Sequence, residues 1–126
     1  MNVSEAESLL RELASSVVGA DVEVGTRGKA PNSSAYIKLT SVSDLGDYAV
    51  VWTPGDRWFS LDVKGGFSLN EFGEDCEASE VRAILERFLR VATAYIEGRR
   101  SLVKSRFLRA THLVVEGDDG PVILRR

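Results

Sequence analysis

A chain of 126 residues with 44% hydrophobic and 28% charged side chains has the size and composition of one globular domain, so we predict a single domain over residues 1–126. This composition excludes a disordered chain, and the sequence lacks the run of about 20 apolar residues that a membrane-spanning helix needs. The net charge of −3 argues against a nucleic-acid-binding module, and the acidic amino terminus differs from a secretory signal, so we expect a cytoplasmic protein.

The first predicted element is a helix over residues 5–18. Ser4 and Glu7 have the spacing of a capping box, in which two side chains satisfy backbone N–H groups at a helix start. Apolar residues then recur at helical spacing as far as Val18, and Gly19 supplies a stop. We therefore expect a helix with one buried face.

Three strands are predicted next. Asp21–Val24 alternates in polarity and precedes a loop rich in Gly, Pro and Ser over Gly25–Ser34. The segments Tyr36–Val42 and Tyr48–Thr53 are rich in aromatic and β-branched residues and are separated by turn-forming residues. We expect Trp52 to lie in the core, because tryptophan is highly buried on average.

A hairpin is predicted around Gly65-Gly66, which can adopt the positive φ angles of a tight turn. Its two strands are Trp58–Lys64 and Phe67–Phe72. Alternate residues of a strand share a face, and in the first strand the apolar set is predicted to face the core: Phe59, Leu61 and Val63. The other set faces away from it: Trp58, Ser60 and Asp62. Trp58 is then either exposed or covered by another element.

A long amphipathic helix is predicted between Ser79, as its N-cap, and Gly98. The basic stretch Arg99–Arg109 is compatible with a helix or an irregular crossing, and we favour a short helix. Thr111–Glu116 and Pro121–Arg125 flank Gly-Asp-Asp-Gly, which predicts a closing hairpin.

Short connections favour antiparallel pairing of consecutive strands. The apolar stripe of the long helix can bury itself on one face of the resulting meander. We therefore predict an α+β fold in two layers: an antiparallel meander of about four to six strands packed against the long helix, with an N-terminal helix and a C-terminal hairpin.

The residue sets that catalytic and metal sites need are scarce in this sequence. Its one histidine, His112, and its one cysteine, Cys76, lack the spacing of common zinc sites. Asp118 and Asp119 lie between glycines and favour a turn over a cation loop. We predict no catalytic residues, no metal site and no cofactor. A small enzyme that gathers Trp58, Asp62 and an arginine in a deep pocket remains an alternative.

Charge is distributed unevenly along the chain. Residues 1–75 contain 12 acidic and 6 basic side chains, a net charge of −6, whereas residues 76–126 contain 7 acidic and 10 basic side chains, a net charge of +3. The basic cluster comprises Arg99, Arg100, Lys104, Arg106 and Arg109. Acidic residues crowd the segment before the long helix: Glu71, Glu74, Asp75, Glu77 and Glu80. We predict that these acids, with Trp58 and Asp62, bind a basic partner, because complementary charge speeds encounter and aromatic side chains supply contact area.

Several segments carry a resemblance to a known class of protein. They are Trp58-Phe59-Ser60-Leu61-Asp62-Val63, Gly66-Phe67-Ser68-Leu69, Glu74-Asp75, Glu80-Val81-Arg82 with Leu85, and Ala94-Tyr95-Ile96-Glu97-Gly98. Together they resemble the small α+β immunity proteins of bacterial polymorphic-toxin systems. The resemblance implies a cytoplasmic protein that binds and neutralises a cognate toxin by occlusion, without a cofactor. The partner would be a protein, without membrane or direct nucleic-acid binding, and the acidic residues would stand in for phosphates facing a basic nuclease cleft.

A second interpretation is a secretion-chaperone-like or adaptor domain. The same α+β layers would then dimerise and present an apolar groove to a client segment. The two interpretations differ in stoichiometry, since the sequence permits either a monomer or a homodimer.

Overall fold

The computed structural model describes residues 1–44, 46–104 and 110–126. In this part of the chain, two helices and eight strands follow the order α1 (Val3–Ala14), β1 (Ala20–Arg27), β2 (Ser34–Ser41), β3 (Tyr48–Thr53), β4 (Trp58–Val63), β5 (Phe67–Phe72), α2 (Ala78–Ile96), β6 (Arg100–Lys104), β7 (Thr111–Gly117) and β8 (Gly120–Leu124). The predicted α+β class is confirmed.

Strands β1 to β5 form one antiparallel meander in sequence order. Strand β1 pairs with β2 over eight consecutive residues, so it extends through Gly25–Arg27, which were predicted to lie in a loop. The predicted hairpin of β4 and β5 is confirmed, with Val63 opposite Phe67 across the two glycines. Strands β6, β7 and β8 form a second antiparallel sheet.

The two sheets meet at one backbone bridge. The N–H of Ser68 in β5 donates to the carbonyl of Arg125, at 2.7 Å, and the N–H of Arg125 donates back to the carbonyl of Ser68, at 3.0 Å. Helix α2 packs against β3 and β4 of the first sheet and against β7 of the second. The helix therefore holds the two sheets around one core.

The core lies between the helices and the inner face of the five-stranded sheet. Phe59, Leu61 and Val63 are buried there, as predicted from their alternation in β4. The stripe of α2 that packs on them is wide: Val81, Leu85, Phe88, Leu89, Val91, Ala92, Ala94 and Tyr95 are buried. Because both helices cover this face, the alternate residues of the strands form an opposite, outer face.

Both helices begin earlier than predicted. The N-cap of α1 is Asn2 and not the predicted Ser4. The Oδ1 of Asn2 accepts a hydrogen bond from the N–H of Glu5 at 2.8 Å. Its last helical residue is Ala14 rather than Val18. Helix α2 starts at Ala78 after Glu77, so the prediction of Ser79 as N-cap is also wrong. Serine, asparagine and acidic residues all favour helix starts, which leaves the choice between neighbours to the packing of the chain.

The predicted helix after Arg99 is wrong for residues 100–104, which form β6. This strand pairs with β7 from Arg100 opposite Val115 to Lys104 opposite Thr111. Pairing with the next strand overrides the helical spacing of its apolar residues. Arg106 and Arg109 of the predicted basic cluster lie outside the described residues.

Candidate protein-interaction surface

Four aromatic side chains cross the outer face of the five-stranded sheet. We call Tyr36, Trp52, Trp58 and Phe72 the aromatic row. Tyr36 in β2 lies opposite Trp52 in β3, and Trp58 in β4 lies opposite Phe72 in β5. Trp52 and Trp58 are half-buried, whereas Phe72 is 75% exposed. The row thus spans four neighbouring strands on the face opposite the helices.

Three rings of the aromatic row pack against one another: Trp52, Trp58 and Phe72. Trp52 and Trp58 meet edge to face, with centroids 4.7 Å apart and planes inclined at 66°. Trp58 and Phe72 are stacked in parallel, with centroids 5.8 Å apart and planes inclined at 7°. Aromatic pairs in these arrangements contribute about 0.5–1.5 kcal/mol beyond the area that they bury. The rings therefore support one another in fixed orientations.

Hydrogen bonds hold the two indoles in place. Nε1 of Trp52 donates to Oδ2 of Asp62 at 2.6 Å, and Nε1 of Trp58 donates to Oδ1 of Asn70 at 3.3 Å. Oγ of Ser60, buried beneath the row, donates to the same Asn70 oxygen at 2.8 Å. Satisfied polar groups on a rigid sheet reduce the entropy that the side chains lose when a partner binds.

The Tyr36 end of the row is polar. The Tyr36 hydroxyl donates to Oε2 of Glu23 at 2.6 Å, and this hydrogen bond raises the pKa of Tyr36 above its ordinary value. The Arg27 guanidinium lies over the Tyr36 ring, 4.3 Å from its centroid. A cation and an anion therefore flank this end of the row.

An acidic segment adjoins the Phe72 end of the row. We call Gly73–Glu77 the acidic bend. The N–H of Gly73 donates to the carbonyl of Arg57 at 3.0 Å, which ties the bend to the start of β4. An open recess of about 610 Å³ lies here, lined by Arg57, Phe72, Gly73, Glu74 and Asp75. Within the described ranges, Glu74, Asp75, Glu77 and Glu80 are exposed and form no ion pair.

The predicted partner-binding residues fall into three places. Trp58 lies in the aromatic row, and Asp62 fixes Trp52 within it. Glu74 and Asp75 line the recess, with Glu77 and Glu80 following at the start of α2. Glu71 is separate: it lies opposite Phe59 on the inner side of β5 and pairs with Arg87 of α2.

The prediction that Trp52 lies in the core is wrong, because this side chain is half-buried on the outer face of the sheet. Strand β3 buries Ala49, Val51 and Thr53 and turns Tyr48 and Trp52 outward. Phe72 and Tyr36 were missed as surface residues. Their signal was the same alternation, since both share a face with Trp58 and Trp52 once the strand register is known.

The structure also bears on chemistry elsewhere in the chain. No group of three or more His, Cys, Asp or Glu residues in the described part of the chain could hold a metal ion.

A groove of about 600 Å³ lies between α1 and α2, but its charged rim is occupied by internal ion pairs. Arg82 pairs with Glu12 at 3.2 Å and Arg99 with Asp118 at 3.3 Å. The groove lies apart from Trp58 and Asp62, which do not line it.

Comparisons with known proteins do not assign the chain to a family. No protein-family model, curated protein or solved structure matches it. Neither of the helices described has both the length and the apolar character needed to cross a membrane.

Proposed function

We propose that this protein binds and neutralises a cognate bacterial toxin, as an immunity protein, through the outer face of its five-stranded sheet. The observation that carries the proposal is the aromatic row, in which two half-buried indoles fixed by Asp62 and Asn70 and the exposed ring of Phe72 lie beside an acidic bend. Tryptophan and tyrosine are enriched among the residues that contribute most of the binding energy at the centres of protein interfaces.

Rigidity and charge support a protein partner. The indoles are already ordered, so binding immobilises few new torsions. The exposed carboxylates of Glu74, Asp75 and Glu77 attract a partner with a basic surface and raise its association rate. A toxin that acts on nucleic acid has such a surface, because its cleft must bind phosphates.

Inhibition would proceed by occlusion. The aromatic row supplies contact area beside the toxin's active site, and the acidic bend occupies the positions that substrate phosphates would take. The protein needs no catalytic group for this activity. Removing a central tryptophan should then weaken inhibition far more than removing an exposed apolar side chain elsewhere.

The test is protection from a toxin in growing cells. The carboxy-terminal domain encoded by the gene immediately upstream is expressed alone and then with this protein. We expect growth arrest in the first case and rescue in the second. Trp58→Ala should impair rescue, whereas Leu102→Ala, which removes a 65% exposed side chain from β6, should retain it. The melting temperatures of both variants, compared with that of the unaltered protein, check that each variant is folded.

Failure of the unaltered protein to rescue growth from an active toxin would contradict the proposal. The mass of the protein and of its complex in solution distinguishes the immunity interpretation from the chaperone interpretation. A folded toxin bound by one monomer agrees with immunity, whereas an obligate dimer holding an extended segment would support a chaperone.

A further inference from the structure

Phe72 has one ring face covered and one ring face open. Trp58 stacks on the covered face, with planes inclined at 7°. The Phe72 side chain remains 75% exposed and is one of the residues that line the recess beside the acidic bend. Because Trp58 is hydrogen-bonded to Asn70 and braced by Trp52, the stack presents this open face in a fixed position.

Charge in the recess is predominantly negative. Its charged lining residues are Glu74, Asp75 and Arg57, while Glu77 ends the bend and Glu80 lies in the first turn of α2. An aromatic face is also the negative part of its ring quadrupole, so the ring and the two carboxylates favour the same sign of ligand charge. The recess therefore suits a cation with a flat, apolar surface.

We propose that this recess receives an arginine side chain of the partner protein. The guanidinium lies on the open face of Phe72, and the carboxylates of Glu74 and Asp75 accept its hydrogen bonds. The inference rests on the proposed function, since it names the anchor by which the bound toxin engages this surface. Arginine suits the site better than lysine, because its planar guanidinium both stacks on a ring and bonds carboxylates through two N–H groups.

The chain contains an internal example of the same arrangement. The guanidinium of Arg100 lies 4.1 Å from the centroid of the Tyr95 ring while its Nη2 donates to Oδ2 of Asp47 at 2.6 Å. One ring and one carboxylate thus hold one guanidinium. Phe72 with Glu74 and Asp75 offers the same pair of groups without an internal arginine stacked on the ring, among the residues described.

The experiment titrates the full-length protein with short peptides and follows its amide and indole N–H resonances. The probe is acetyl-Gly-Arg-Gly-amide, and the matched control carries citrulline, which keeps the planar shape but lacks the charge. We expect saturable shifts at the Trp58 indole and at the backbone of Phe72–Asp75. Citrulline should bind at least tenfold more weakly.

Two variants define the anchor. Phe72→Ala removes an exposed ring and should abolish the shifts, whereas Val18→Ala, which truncates a 78% exposed apolar side chain on another surface, should leave them unchanged. The pair Glu74→Gln and Asp75→Asn should weaken binding at least tenfold while preserving shape. Equal binding of the citrulline peptide, shifts centred elsewhere, or an unaltered response in Phe72→Ala would overturn the inference. Self-association without peptide that Phe72→Ala abolishes would assign the recess to a second copy and also overturn it.

Growth protection distinguishes this inference from the proposed function. If the unaltered protein protects cells and Phe72→Ala protects them equally, the arginine anchor is wrong and the immunity function stands. If the arginine peptide binds the recess and the unaltered protein does not protect, the immunity function is wrong and the recess remains an arginine site.

Discussion

The ion pair between Asp47 and Arg100 connects the two sheets through side chains. Nη2 of Arg100 donates to Oδ2 of Asp47 at 2.6 Å, and Nη1 donates to the carbonyl of Tyr95 at 3.0 Å. The Asp47 side chain is 11% exposed and that of Arg100 is 27% exposed. Asp47 immediately precedes β3, whereas Arg100 begins β6. Loss of either partner would leave a largely buried charge without compensation.

Asp47→Ala should therefore lower the free energy of unfolding by about 2–3 kcal/mol, slightly less than for a fully buried pair because Arg100 retains some contact with water. The measurement is urea denaturation followed by circular dichroism. Glu7→Ala is the matched control. Glu7 pairs with Arg11 at 3.3 Å, and the Arg11 side chain is 60% exposed, so the loss in free energy of unfolding should stay below about 0.5 kcal/mol. Equal destabilisation by the two substitutions would contradict the importance of the buried pair.

The two tryptophans show what could be predicted at the scale of a residue. The outward direction of Trp58 followed from the apolar alternation of Phe59, Leu61 and Val63 in β4. In β3, the set that includes Trp52 and the set that includes Val51 are both apolar, so alternation alone did not identify the buried set. The average burial of tryptophan then favoured the wrong face. The packing of Trp58 against Trp52 and the hydrogen bond from Trp52 Nε1 to Asp62 explain why an indole is stable there.

Helix α2 is the element on which the core depends most. Its buried side chains contact both sheets, and Phe88 is only 1% exposed near the middle of the helix. The wide stripe follows from this double contact, because a helix between two layers must bury more than one narrow face. Truncation of a large side chain at its centre would leave a cavity that neither sheet can readily fill.

Phe88→Ala should lower the free energy of unfolding by about 3–5 kcal/mol, through lost transfer free energy and the residual cavity. Arg90→Ala, two residues further along the helix, is the control, since its side chain is 48% exposed and its ion pair to Asp119 spans 3.8 Å. Its effect should remain within about 0.5 kcal/mol. Chemical denaturation of both variants provides the comparison, and a cost below about 1 kcal/mol for Phe88→Ala would contradict the central role of this side chain.

Elements whose local sequence pattern fits a single structure were the predictable ones. The β4–β5 hairpin needs only Gly65-Gly66 and two alternating strands, and α2 needs only its apolar stripe. Strand β6 differs, because the spacing of its apolar residues also fits a helix, and its pairing with β7 decides between the two structures. Local propensity carries little information about such pairing. The site was predictable in part for the same reason: Trp58 and the acidic bend are local features, whereas the aromatic row requires the register of four strands.

At the scale of the whole molecule, the two charged regions differ in how far they are neutralised. Arg99 pairs with Glu97 and Asp118, and Arg100 pairs with Asp47, so these members of the basic cluster are compensated internally. The acidic bend has no such compensation within the part of the chain described. Its field therefore extends into solvent and is available to steer a partner.

The double charge reversal Glu74→Lys with Asp75→Lys should slow association with the proposed toxin partner at least about tenfold at low salt and weaken its dependence on salt. Stopped-flow measurements over a range of ionic strengths provide the test. Glu116→Lys with Asp119→Lys is the control, because it changes the net charge equally on exposed residues of the C-terminal hairpin. Identical association rates for both double variants would show that net charge, and not the acidic bend, governs encounter.

The edge-to-face contact of Trp52 and Trp58 gives the surface its own optical reporter. The chain contains only two tryptophans, and both belong to this one contact, at 4.7 Å. Indoles this close couple their electronic transitions, so the ultraviolet dichroism and the fluorescence of the tryptophans originate at the proposed interface. Binding of a ligand at this face can therefore be followed through the two tryptophans without an added dye. A conformational change that leaves this face intact will change the tryptophan fluorescence very little.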